Sequence, residues 1–166
     1  MGKGASGNQA ADAPLRLIEN PACRAHCIAR AENKAMAEAY DWARHTFPVS
    51  ERSMKAALML VLCGAVELSP DGTAQVWYHG QHSRTYFVDT QSCSCSAFTN
   101  THGFCKHINA RNIARYAAEL AQQYLSDPAQ VAILHRDCPY PLPEQSAAPY
   151  YRRDAKLGVC DISGPA

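Results

Sequence analysis

The middle of the chain reads Cys93-Ser94-Cys95 and then, after nine intervening residues, Cys105-Lys106-His107. Three thiolates and one imidazole are a donor set for zinc, which takes sulfur at about 2.3 Å and histidine nitrogen at about 2.0 Å. Its filled d shell imposes no geometry of its own, so four such donors settle at tetrahedral corners. Cys93, Cys95, Cys105 and His107 therefore make a complete shell. With every corner occupied by protein there is no place for water or substrate, and the spacing predicts a structural ion rather than a catalytic one. The competing reading is a set of unrelated buried thiols, which two Cys-x pairs in this polarity and context seldom produce.

Such a shell needs elements that deliver its two halves to one place. Residues Thr85 to Asp89 are rich in aromatic and β-branched types and predict a strand that ends just before Cys93. Cys105 to Leu125 returns to helical spacing, with Ala110, Ile113, Ala117, Leu120 and Tyr124 on one side and Arg111, Asn112, Arg115, Glu119 and Gln122 on the other. Upstream, Ala65 to Leu68, a Pro70-Asp71-Gly72 turn and Thr73 to His79 complete a small antiparallel meander. Helices precede it. Asn20 and Pro21 open one, or two shorter ones, running to Phe47, with Ile28, Ala31, Ala35, Ala39, Trp42 and Ala43 at core spacing. Ser50 caps another, to about Cys63, whose apolar stripe is read as Met54, Leu58, Val61 and Leu62 before Gly64 ends it. The fold class is α+β: a zinc-stapled meander plus helix, two N-terminal helices and a flexible C-terminal tail. The expected divisions are a flexible lead over 1–19, a helical segment over 20–64, the zinc module over 65–125 and a Pro-rich tail over 126–166. That tail opens with a short helical turn to about Leu134 and is irregular from about 139.

The pattern Cys-x-Cys, a variable gap, then Cys-x-His at a helix start resembles the SWIM-type zinc finger. The aromatic-rich strand before Cys93, Phe98 shortly after Cys95, Gly103 before the third ligand and the Cys105-Lys106-His107 triplet are similar to that family as well. The resemblance covers about residues 74 to 118 and implies a strand-strand-helix module around one Zn2+ held by Cys93, Cys95, Cys105 and His107. It also implies an accessory role, since the family is generally taken to bind DNA or other proteins in chromatin remodelling, transposition and recombination.

Eight cysteines in 166 residues are more than this cluster uses. Neither a secretory leader nor a run of about 20 apolar residues is evident, so a cytoplasmic location and no membrane association are expected, with cysteines kept for metal or redox chemistry rather than disulfides. Cys23, His26 and Cys27 on one helix, with His135 and Cys138 downstream, offer either a second zinc site or two core helix positions and a free Cys138. Cys63 and Cys160 read as non-ligands. The net charge of +1 excludes a whole-chain field for polyanions, so nucleic acid needs a local patch. Residues 101–116 hold no Asp or Glu, and Lys106, Arg111 and Arg115, extended by Arg84, His79 and His82, form a modest cationic ridge near Trp77, Tyr78 and Phe104. A solvated helix face accounts for the same residues. Nucleotide-phosphate loops, nucleophile elbows and metalloprotease signatures are absent from the sequence, so neither an enzyme nor a nucleotide cofactor is expected. Two functions stay open: a DNA-binding accessory protein in recombination, repair or mobile-element maintenance, and a protein-interaction adaptor without direct nucleic-acid contact. Redox sensing through zinc release is a minor third.

Overall fold

The computed structural model describes residues 13–78, 81–101, 105–136 and 138–139. The expected flexible lead up to residue 12 and the tail from 140 lie outside the described residues. The elements run α1 (Ala13–Arg16), α2 (Pro21–Thr46), α3 (Glu51–Leu62), β1 (Val66–Leu68), β2 (Ala74–Tyr78), β3 (Gln81–Val88), α4 (Ser96–Thr101), α5 (Lys106–Ser126) and α6 (Pro128–Arg136). The chain separates into two compact units, with the breaks at Ala35/Met36 inside α2 and at Tyr116/Ala117 inside α5.

In the first unit, α2 starts where the sequence places it. The Asn20 carboxamide accepts from the backbone N–H groups of Ala22 at 2.9 Å and Cys23 at 3.4 Å, and Pro21 occupies the first helical position, where its missing N–H costs nothing. Leu15 and Ile18 pack with Cys23, Cys27, Ala31, Val131 and Leu134 into one apolar cluster. Residues 13–19, expected as part of the flexible lead, thus carry α1 and two core side chains, because Leu15 and Ile18 bury enough surface to offset their ordering. Arg24 donates through Nη2 to the Ile18 carbonyl at 2.8 Å and holds that approach.

The second unit carries the sheet, in the order β1-β2-β3, both pairs antiparallel. Val66 faces Val76, Val76 faces Tyr86 and Ala74 faces Val88, so the buried residues Ala74, Val76 and Val88 share one face. A register shift at Trp77/Tyr78 breaks the β2–β3 ladder at the end where β2 passes into β3. In α3 the Ser50 hydroxyl accepts from Ser53 N–H at 3.2 Å, and Gly64 follows the helix with φ +67°. The buried stripe of α3 is Met54, Ala57 and Leu60, while Leu62 is 56% exposed. The stripe expected from sequence is rotated because residues 56–62 are apolar on every side, which leaves periodicity nothing to discriminate. The first turn of α5 is buried nearly all round, from His107 through Arg111, and anchors the site described next.

Candidate metal centre

The approach to the first two cysteines is built by one carboxylate. Past Val88, Asp89 Oδ1 accepts from the N–H groups of Gln91 at 2.7 Å and Ser92 at 2.6 Å, and Oδ2 accepts from the Ser92 hydroxyl at 2.6 Å. The Ser92 hydroxyl first, then these backbone donors, hold the Asp89 carboxyl below its ordinary range. The tight turn sends the chain back along β3: Cys93 bridges to Val88, Ser94 N–H donates to the Phe87 carbonyl at 3.0 Å, and Phe87 N–H donates to the Ser94 hydroxyl at 2.9 Å.

Cys95 then caps α4. Its carbonyl accepts from Thr99 N–H at 3.1 Å and its sulfur accepts from Phe98 N–H at 3.4 Å, the position a Ser or Asp oxygen takes in an ordinary N-cap. Cys105 caps α5 in the same manner, its carbonyl accepting from Asn109 N–H at 3.2 Å. At the start of α5 the backbone N–H groups of Ile108 and His107 help hold the Cys105 sulfur as thiolate.

These turns bring the ligand atoms of Cys93, Cys95, Cys105 and His107 within 4.8 Å of one another, and all four residues are buried. Four donors on a common ion at the zinc distances lie about 3.5–3.8 Å apart, so the group is close to the size required. His107 Nδ1 is 3.7 Å from Cys93 Sγ and 4.0 Å from Cys105 Sγ, and the Tyr86 ring stacks on the imidazole at 4.4 Å with 25° between planes. Cys105 is held well below the ordinary thiol range because Cys93 donates to its sulfur, with help from His107 and the Ile108 backbone N–H. Cys93, as that donor and by burial, is pushed up. Thiols buried beside an imidazole whose Nε2 has no hydrogen-bond partner are a donor set that an ion satisfies. The centre can hold a metal ion.

The cationic residues are distributed differently from the expected ridge. Arg84 and Arg115 are exposed and Lys106 is half-buried at the first position of α5. Arg111 is 4% exposed. Its Nε donates to the Gly72 carbonyl at 2.8 Å, its Nη2 donates to the same oxygen, and its Nη1 reaches Asn112 Oδ1 at 2.7 Å. Arg111 therefore ties α5 to the β1–β2 turn, and the ridge is corrected to Arg84, Lys106 and Arg115. His79 and Phe104 lie outside the described residues, as do the side chains of Tyr78 and His82.

The remaining cysteines also depart from the sequence reading. Cys23 and Cys138 are joined as a disulfide, so Cys138 is not free and the expectation that disulfides are absent is corrected. Cys27 is fully buried with a free thiol that burial pushes up, while Cys63, at the C-cap of α3, is itself disulfide-bonded. Cys160 lies outside the described residues. Sequence reasoning overlooked Asp89, Ser94 and Tyr86; the Asp89-x-x-Ser92 spacing just ahead of the first ligand was the available signal, since Asp commonly closes such turns with its own side chain. No protein-family model matches the chain, and no curated protein or solved structure matches it.

Proposed function

We propose that Cys93, Cys95, Cys105 and His107 hold one structural zinc ion in a SWIM-type module, and that the chain is a DNA-binding accessory protein without catalytic activity of its own. The observation that carries the zinc reading is the convergence of three sulfurs and one imidazole, all buried, within 4.8 Å. Three thiolates select a soft ion, and a shell closed by four protein donors suits scaffolding rather than turnover.

DNA contact rests on Arg84, Lys106 and Arg115, which the module carries at or near its surface. Three cations neutralise about three phosphates, giving weak binding to duplex DNA with a log–log salt slope of about −3. The test is fluorescence anisotropy of labelled single- and double-stranded DNA with zinc-loaded protein over a salt series. Binding that follows this slope, and is lost in an Arg84→Glu, Lys106→Glu, Arg115→Glu variant that still retains zinc, supports the reading. Equal anisotropy in parent and variant at low salt refutes it.

One observation favours the adaptor alternative: Phe87, in the strand that leads to the cluster, is 65% exposed. An exposed aromatic between paired backbone groups suits a protein partner better than phosphate. Loss of partner capture in a Phe87→Ser variant with DNA binding absent throughout would establish that role.

A further inference from the structure

A second group of metal-binding side chains stands in the first unit. Cys23, in the first turn of α2, is 4% exposed. His135 lies in the last turn of α6, and Cys138 follows two residues after that helix. The Cys138 N–H donates to the His135 carbonyl at 2.9 Å, and this turn folds the two side chains onto the same side of the helix end. The ligand atoms of Cys23, His135 and Cys138 lie within 4.8 Å of one another.

A disulfide has no chemical use for an imidazole at that distance, whereas a soft divalent ion does. The Cα atoms of Cys23 and Cys138 are 5.8 Å apart, a separation that lets both sulfurs reach one ion as readily as each other. Beside the cluster opens a cleft of about 660 Å3 lined by Cys23, His135 and Cys138 together with Leu17, Ile18 and Val131. Three protein donors leave one tetrahedral position to a donor from outside the group, and the cleft gives such a donor access.

We infer that Cys23, His135 and Cys138 form a second zinc-type site in the reduced protein, and that the disulfide and the metal-bound form are alternative states of it. The change balances as thiol–disulfide exchange. A dithiol reductant passes two electrons and two protons to the Cys23–Cys138 bond and closes to its own disulfide. The ion then displaces both thiol protons to solvent and accepts the imidazole lone pair, so loading the site releases two protons. Cys27, one turn further along α2, takes no part: it is fully buried and its ligand atom is not in the group.

The test counts zinc per full-length chain after gel filtration, in a non-chelating phosphine reductant and again after oxidation with the Cys23–Cys138 bond verified by peptide mapping. The expected counts are two ions in the reduced parent, one in the oxidised parent, and one in reduced His135→Ala and Cys138→Ser. His135 is exposed, so its replacement leaves the core in place. A Cys93→Ser, Cys105→Ser chain separates this site from the first one: it keeps one ion when reduced and loses that ion when His135→Ala is added. Cobalt substitution of the same chain gives sulfur-to-metal charge transfer that disappears with Cys138→Ser. A reduced parent that binds no more zinc than His135→Ala, or an oxidised parent that keeps two ions, overturns the inference.

Discussion

Asp89 acts on the cysteine cluster through the backbone. Its carboxylate gathers Gln91 and Ser92 into the turn that aims Cys93, so its removal frees the first ligand to wander. Partners that orient metal ligands from outside the shell are worth about 10–100-fold in affinity. Asp89→Ala is expected to lose zinc to a competing chelator about 10-fold more readily than the parent, measured by chelator titration; equal retention would remove Asp89 from the site's construction. The sign with pH follows from the lowered carboxyl. Its contribution is complete above the ordinary carboxylate value of about 3.9 and is lost as pH falls through the lower folded value. The amide resonances of Gln91 and Ser92 should therefore move below pH 3.9 in the parent and stay still in Asp89→Ala. At this scale the four candidate ligands were legible because metal chemistry restricts residue type and spacing together. Asp89 and Tyr86 were harder to see, since a turn-closing carboxylate and a stacked ring are recognised by geometry that composition does not encode.

Among the elements, α5 is held to the sheet by a buried guanidinium. Arg111 reaches the Gly72 carbonyl, and Gly72 itself has φ +87°, with room for only a tight contact between an added Cβ and the Arg111 and Arg115 guanidinium nitrogens at 3.4 Å. Arg111→Ala removes charged hydrogen bonds from a buried position and is expected to cost about 1.5–3 kcal/mol in urea unfolding of the zinc-loaded chain. Gly72→Ala is expected to cost about 1 kcal/mol or more through its backbone conformation. An Arg111→Ala chain as stable as the parent would show that the turn and the helix do not depend on each other. Helix starts at Asn20 and Ser50, the stop near Phe47 and the Pro70-Asp71-Gly72 turn were readable because caps and breakers act locally. The role of Arg111 was not: helical spacing puts it on a face with Arg115, and only the returning β1–β2 turn, 39 residues earlier, turns a surface cation into an internal tie.

For the whole molecule, the two units are expected to respond differently to a bound ion. Structural zinc contributes about 10 kcal/mol in small modules, comparable to the stability of an entire domain. Chelation at neutral pH, or Cys95→Ala, is expected to strip hydrogen-exchange protection from Tyr86–Val88 and Ile108–Arg111 while leaving α6 protected, because α6 packs on its own cluster of Leu15, Ile18, Val131 and Leu134. Uniform loss, or none, would contradict that division. The α+β class followed from the change of period after Gly64, but the break between units inside α2 and α5 could not, since a continuous helix carries no mark of which partners its successive turns will meet.

The Cys23–Cys138 bond joins positions 115 apart in sequence, so the sheet, the cysteine cluster and most of the helices belong to one covalent ring. A protease that cuts once between Cys23 and Cys63, ahead of the second disulfide-bonded cysteine, opens it without releasing a fragment. The nicked chain stays one species on a non-reducing gel and falls into two only when the sulfurs are parted, which makes electrophoretic mobility a direct report of the redox state of the first unit.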